Sequence, residues 1–239
     1  MNNETIGISA EIAIADYFDV EIDQDYRERG DEAVVDMIYP KVEDIFKKHN
    51  IPSPIEHIAE KQNPVDFLLE DGLTLSVKTN QRYPGKVAPQ IIGQPTSETF
   101  FEIMLSKMGY NIASELRNYG LSDTYENRSK IFKHFVFENI ETLLEIYWEH
   151  LFECNYLIYF YNILNPTGGL TSNPQYKVLL PIEYPIFDKE YITFTQTEKS
   201  WNESCTIKYK GKAIGEFQVH NNRNCFKFRF NFKNLFEYI

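Results

Sequence analysis

Asp66 and Lys78 are the two residues of this chain whose types and spacing most directly suggest chemistry. They stand near the ends of the stretch NPVDFLLEDGLTLSVKTN, residues 63–80, in which two short apolar runs flank Glu70-Asp71-Gly72. A carboxylate beside an ammonium group can bind a cation and stabilise negative charge. A surface ion pair at a strand end, which contributes little to stability, is the alternative that the pattern leaves open.

The apolar residues of this stretch predict a β-hairpin with a three-residue loop. A loop of Glu70-Asp71-Gly72 places all five odd-numbered apolar residues on one face, whereas a two-residue loop mixes the faces. The longer loop also gives Gly72 the left-handed conformation that such loops need. In this register Asp66 lies opposite Ser76, and Lys78 follows one step along the same face. The five apolar residues are Phe67, Leu69, Leu73, Leu75 and Val77.

The motif NPVD, followed nine residues later by SVK, resembles the signature of the PD-(D/E)xK nuclease superfamily over about fifteen residues. The resemblance implies that Asp66 binds a divalent metal, Mg²⁺, with help from the backbone carbonyl of Val77. It also implies that Lys78 holds the attacking water. The sequence departs from the signature because its proline stands two residues before Asp66 and because Ser76 occupies the position of an acidic residue. Some restriction endonucleases resemble this S-x-K variant, with a glutamate supplied by a helix; Ser76 then belongs to the catalytic motif.

Glu11 is the leading candidate for the displaced acid. It is the only charged residue in the segment IGISAEIAIA, and a carboxylate in apolar surroundings is costly unless a cation or a donor meets it. In the nuclease superfamily the first helix often carries a glutamate that faces the active site, and Glu11 resembles that residue. A solvated position on the outer face of the helix is the alternative. Glu98 and Glu102, after the loop, are rival metal ligands, and Glu98 is also explained as a favourable helix N-terminal residue.

The predicted elements are typical of a mixed α/β protein. Helices are expected at about 6–17, 25–49, 97–108 and 123–152, with a buried strand at 156–164. With the hairpin, this order matches much of the restriction-endonuclease-like αβββαβ core, an α+β architecture with a mixed central sheet. Only IEHIA is left to form its first strand. We expect a single nuclease domain over residues 1–239, with a catalytic core at 1–165 and a β-rich recognition part at 166–239.

Two segments carry side chains suited to DNA. The loop after Lys78 is rich in groups that hydrogen-bond phosphates and base edges, although a plain polar loop is the alternative. The strand CFKFRFNFK alternates phenylalanine with polar residues, which predicts an apolar face and a basic face. An ordinary amphipathic edge strand is the alternative there. The candidate DNA-binding residues are Asn80, Gln81, Arg82, Lys86, Gln90, Gln94, Gln218, His220, Asn222, Arg223, Lys227 and Arg229.

The charge is unevenly distributed. The net charge is −11, but residues 1–75 carry 6 basic and 18 acidic groups while residues 201–239 carry 7 basic and 3 acidic ones. A basic C-terminal part can bind a polyanion despite the acidic total. The three cysteines and five histidines lack the spacing of a zinc site or a disulfide framework, and no apolar run is long enough to span a bilayer. Because the N-terminus resembles no secretory signal, we expect a cytoplasmic protein.

These observations lead us to expect a type II restriction endonuclease. It would hydrolyse double-stranded DNA at a short specific site with Mg²⁺, as a homodimer, because palindromic sites match two-fold protein symmetry. The resemblance alone implies a partner methyltransferase. A repair or junction-resolving nuclease, or a non-catalytic DNA-binding protein with a degenerate nuclease core, are the alternatives.

Overall fold

A computed structural model of the chain describes residues 1–59, 63, 65–89, 91–181 and 183–238. The chain forms two compact units. Unit 1 contains residues 1–85 and 152–183, and unit 2 contains residues 86–151 and 184–239. Each unit combines two separate segments of the chain, and the expected division at 165/166 stays a prediction.

Unit 1 is a mixed sheet packed against helices. Buried aliphatic residues of α1 and α3 form one core with the apolar residues of the sheet. α1 is buried along residues 8–15 because small and aliphatic residues occupy nearly every position there. The helices are α1 (Asn3–Phe18), α2 (Gln24–Arg27) and α3 (Glu32–His49). The strands are β1 (Pro54–His57), β2 (Phe67–Leu69), β3 (Thr74–Thr79), β5 (Tyr156–Tyr161) and β6 (Gln175–Leu179).

The sheet of unit 1 has the order β1-β2-β3-β5-β6, in which β3 and β5 are parallel and the other neighbours are antiparallel. The predicted hairpin is confirmed: Phe67 pairs with Leu75, and Glu70–Gly72 forms a 3-10 turn. Gly72 has φ 74°, and Asp71 also adopts a left-handed conformation. The IEHIA segment supplies β1. The mixed α/β class is therefore confirmed, and the order of elements is compatible with the expected nuclease core.

Unit 2 is an antiparallel sheet with helices on its aromatic face. The sheet has the order β4-β10-β9-β8-β7. Phe226 stacks on Phe132 with ring centroids 4.1 Å apart, and Phe228 stacks on Tyr147 at 4.2 Å, which joins β10 to α6 and α7. The strands are β4 (Lys86–Val87), β7 (Ile192–Phe194), β8 (Ser204–Tyr209), β9 (Lys212–His220) and β10 (Cys225–Asn231). The helices are α4 (Ser97–Phe100), α5 (Ile112–Asn118), α6 (Tyr125–Glu138), α7 (Ile140–Leu151) and α8 (Phe232–Leu235).

Three predicted long helices are interrupted. The helix expected at 25–49 is divided between α2 and α3, where Asp31 caps α3 by accepting hydrogen bonds from the Ala33 and Val34 N–H groups. The helix expected at 123–152 ends at Asn139 and restarts as α7. The helix expected at 97–108 changes after α4 into a π-helical segment, Phe101–Leu105. Within the described residues, no helix combines the length and hydropathy needed to cross a membrane.

Candidate active site

Asp66 lies directly before β2 in unit 1 and is only 4% exposed. Its Oδ2 accepts a hydrogen bond from the Val77 N–H at 2.5 Å and one from the Ser76 hydroxyl at 3.0 Å. Because the N–H and C=O groups of one strand residue point to the same side, the Val77 carbonyl also lies on the Asp66 side of β3. The hairpin register thus brings Asp66, Ser76 and Val77 together as predicted.

Lys78 completes this group of residues on β3. Its Nζ lies 3.9 Å from Asp66 Oδ2, and its side chain is 13% exposed. A solvent-exposed ion pair at a strand end was the alternative interpretation, and this burial does not fit it. The ammonium group is held in a protected position beside the carboxylate, where its charge is screened less than at a surface.

Glu11 enters the same region from α1. It is 6% exposed, so it does not lie on a solvated helix face. Its Oε2 accepts a hydrogen bond from the Tyr26 hydroxyl at 2.7 Å and lies 2.9 Å from His57 Nε2. The His57 side chain is 1% exposed, and its ring packs edge-on against both Tyr26 and Phe67. α1, α2 and β1 therefore fix one carboxylate jointly.

The two carboxylates interact electrostatically. Burial raises the pKa of Glu11, the negative charge of Asp66 raises it further, and the hydrogen bonds from His57 and Tyr26 partly oppose the rise. The pKa of Tyr26 is raised by burial and by the charges of Glu11 and Asp66. Burial also raises the pKa of the neighbouring Cys154 thiol to about 11, so this cysteine stays protonated. All three cysteines are free.

The donor set of this site suits a hard cation. The Glu11 and Asp66 carboxylates and the Val77 carbonyl offer oxygen ligands. Mg²⁺ in proteins commonly uses one or two carboxylates and keeps several waters. Among the described residues, no group of three or more histidine, cysteine or acidic side chains is arranged to hold a metal ion. Glu11 and Asp66 supply only two of the acidic side chains that such a group needs, and the Ser76 hydroxyl donates to Asp66 at the position where a third acid is usual.

The rival acid Glu98 belongs to unit 2. It lies in the first turn of α4, its side chain is 67% exposed, and its carboxylate is 3.9 Å from Arg128. Glu102 lies in the adjoining π-helical segment. Sequence reasoning missed Tyr26 and His57, because neither residue has a motif or a periodic spacing that marks it. The only available signal was the presence of a histidine within the short IEHIA strand.

The loop after β3 contains several of the predicted DNA-binding residues. Asn80 has a buried side-chain nitrogen. Gln81 donates to the Met1 carbonyl at 3.1 Å, and Arg82 donates to the Pro166 carbonyl at 3.4 Å. Gln94 is exposed. Gln90 lies outside the described residues, as does Pro64 of the NPVD motif.

The polar face of the unit 2 sheet is the second region that carries predicted DNA-binding residues. We use this name for Lys86, Glu216, Gln218, Lys227, Arg229 and Asn231, which the strand register places on the side opposite the phenylalanines. At the β9–β10 tip, Asn222 and Arg223 are exposed and His220 is half-buried. Because β10 lies between β4 and β9, it is not the edge strand of the alternative interpretation.

The arrangement defines a mixed α/β protein with a buried Asp–Lys pair, a second carboxylate and a separate polar sheet face. The chain is similar to a Type II restriction enzyme, CviAII, of Paramecium bursaria Chlorella virus 1: the two are 34% identical over 172 residues. The match covers 71% of this chain but only 42% of that enzyme. This finding supports a relationship to restriction endonucleases. No family model and no solved structure matches the chain.

Proposed function

We propose that this protein is a Mg²⁺-dependent type II restriction endonuclease that hydrolyses phosphodiester bonds in double-stranded DNA at a short specific sequence. The observation that carries the proposal is the buried Asp66–Lys78 pair at the open end of the hairpin, with the buried Glu11 carboxylate close enough for the charge of Asp66 to raise its pKa. Similarity to a type II restriction enzyme supports the same conclusion. The site belongs to the S-x-K variant of the PD-(D/E)xK signature.

Asp66, Glu11 and the Val77 carbonyl would hold the cation. A bound Mg²⁺ supplies activation of water and neutralisation of the charge that develops on the phosphate. The Ser76 hydroxyl and the Val77 N–H orient Asp66, since both donate to its Oδ2. Tyr26 and His57 play the same part for Glu11, since both contact its Oε2.

Lys78 has a different task. Its ammonium group donates hydrogen bonds to the attacking water and keeps positive charge next to the scissile phosphate. Burial beside Asp66 limits the positions that its side chain can adopt, so the donor is oriented before substrate binds. Removing the ammonium group should therefore abolish hydrolysis without removing the groups that bind DNA.

DNA binding is assigned to the polar face of the unit 2 sheet, the β9–β10 tip and the loop after β3. Unit 1 has 9 basic and 20 acidic residues, net −11, whereas unit 2 has 15 of each, net 0. Unit 2 is therefore the less repulsive of the two toward a polyanion. A homodimer would match a palindromic site, and a partner methyltransferase would protect host DNA.

The test is incubation of the purified protein with unmethylated phage DNA, with Mg²⁺ or with a chelator, followed by electrophoresis. Discrete Mg²⁺-dependent fragments are expected from the wild type and none from Asp66→Ala or Lys78→Ala. Both variants should still shift DNA in a binding gel. Undiminished cleavage by Lys78→Ala would show that the site is assigned wrongly.

A non-catalytic DNA-binding protein is the second candidate. It is favoured by one observation: among the described residues, no cluster of three potential metal-ligating side chains exists, and Ser76 stands where an acid is usual. DNA binding without cleavage at any Mg²⁺ or Mn²⁺ concentration would establish this candidate in place of the first.

A further inference from the structure

Glu216 is a buried acid in the middle of the polar face of the unit 2 sheet. It is 5% exposed, lies on β9, and is paired across the strands with Arg229 of β10. A buried charge is costly unless it is paired and hydrogen-bonded. A glutamate here also carries the wrong sign for a surface that approaches phosphates, so its presence on this face needs an explanation.

Each oxygen of Glu216 contacts a different cation. Oε1 accepts a hydrogen bond from Arg229 Nη2 at 2.8 Å, and Oε2 accepts one from Lys86 Nζ. Burial on its own would raise the pKa of Glu216, but the hydrogen bonds and charges of Lys86 and Arg229 lower it below its usual value. The carboxylate of β9 is therefore ionised and is held by cations from two other strands, β4 and β10.

Among the described residues, the hydrogen bond from Nη2 to Glu216 is the one that holds the Arg229 guanidinium group. Its Nε is buried and has no hydrogen-bond partner among the described residues, while 26% of the side chain remains exposed. A guanidinium group has five N–H donors in a rigid planar fork. The Nη2 hydrogen bond restrains the orientation of the fork, and the exposed part of the side chain leaves N–H donors for an acceptor pair. A fixed fork suits the O6 and N7 acceptors of guanine in the major groove.

We propose that Glu216 is a positioning residue for base recognition: it anchors Arg229 so that its guanidinium group reads a guanine in duplex DNA. The inference rests on the proposed function, since it assigns part of the DNA specificity of that enzyme. In this arrangement Glu216 lowers the general attraction of the sheet face for phosphates, and it raises the selectivity of Arg229 for one base. Lys86, held on the other oxygen, keeps the local charge from becoming negative.

The test is selection from a randomised duplex library in a chelator, by mobility shift and sequencing of the bound fraction. The wild type is expected to enrich a motif with a guanine. Arg229→Lys keeps the charge but loses the fork, and should lose that preference by roughly ten- to hundredfold. Glu216→Gln should lose the same preference at the same position. The affinity of Glu216→Gln for random duplex DNA should equal or exceed that of the wild type, because the variant lacks one negative charge.

Two further variants separate positioning from charge and from folding. Glu203→Gln removes an exposed acid near His220 without touching Arg229, and should keep the wild-type motif. Glu216→Asp keeps the charge but shortens the side chain, and it should weaken the guanine preference. This variant supplies the test if Glu216→Gln does not fold. Thermal melting identifies any variant that is merely unfolded.

The outcomes are distinct. If either folded Glu216 variant keeps the wild-type preference at every position while Arg229→Lys loses one, Glu216 does not position the arginine and the inference is overturned. An unchanged motif in Arg229→Lys overturns it equally. If the wild type itself enriches no motif, the proposed sequence-specific function fails, and this inference fails with it.

Discussion

Tyr26→Phe is the sharpest test of how the site is built. The substitution deletes one hydroxyl group, which donates to Glu11 Oε2 at 2.7 Å, and it retains the ring that packs on His57 with centroids 4.9 Å apart. Glu11 stays buried and keeps its contact with His57. The change therefore removes one orienting interaction from a proposed metal ligand and leaves the surrounding packing in place.

The expected effect follows from the type of hydrogen bond that is lost. A hydrogen bond to a charged group contributes about 1.5–3 kcal/mol. Each 1.4 kcal/mol corresponds to a factor of ten in an equilibrium constant, so loss of the whole contribution lowers cation affinity about ten- to hundredfold. Groups that orient metal ligands in other proteins have effects of about this size. Because His57 remains on the same oxygen, we expect a value near tenfold.

The assay is calorimetric titration of the DNA-free protein with Mn²⁺, with Mg²⁺-dependent cleavage as the second readout. Tyr17→Phe is the matched control, since it removes a phenol hydroxyl that hydrogen-bonds the exposed Glu43, away from the site. Wild-type Mn²⁺ affinity in a folded Tyr26→Phe variant would refute the reasoning, because Glu11 would then need no support from α2 or would not bind the cation.

Three further outcomes are expected. In a nicking assay, Glu11→Gln should abolish Mg²⁺-dependent cleavage and Glu98→Gln should leave it unchanged. Loss of cleavage in Glu98→Gln with retained cleavage in Glu11→Gln would make Glu98 the displaced acid. Ser76→Ala should lower the free energy of unfolding by about 1.5–3 kcal/mol, because the hydroxyl of this 1% exposed residue donates to the Asp66 carboxylate. Urea denaturation measures the change, and equal stability would show that this hydrogen bond contributes nothing. Because the pKa of folded Glu216 lies below the usual 4.5, its ion pairs should stabilise the protein above that pH and lose this effect as the pH falls below it. The stability difference between wild type and Glu216→Gln should accordingly shrink between pH 6 and pH 3, and a constant difference would contradict the assignment.

Local patterns in the sequence were enough to predict the hairpin and its register. The odd-numbered apolar residues and Gly72 permit only one loop length that keeps a continuous core face, so the meeting of Asp66 with Ser76 followed from the chain itself. The alternation of Phe226, Phe228 and Phe230 with polar residues predicted the two faces of β10 in the same way. Glu11 could be singled out because a lone carboxylate among small apolar residues requires a partner.

The breaks in the helices were harder to predict. Apolar spacing of three and four continues across residues 138–140, so periodicity alone indicates one helix where α6 and α7 are separate. Asp31 caps α3 directly after Gly30, whereas Pro40, the proline of the same charged segment, lies inside α3 and does not end it. Gly30 and the Asp31 cap are therefore a local signal for the first break, whereas the apolar periodicity carries no signal for the second.

The sequence by itself determined the Asp66–Lys78 pair, the candidate acid on α1 and the two faces of the strand at 225–231. Only the tertiary structure determined which residues support them. Tyr26 and His57 reach Glu11 across 15 and 46 positions of the chain, and Lys86 reaches Glu216 across 130. Contacts over such separations leave no periodic trace in the sequence, because each partner is specified by where its own element packs and not by its neighbours along the chain.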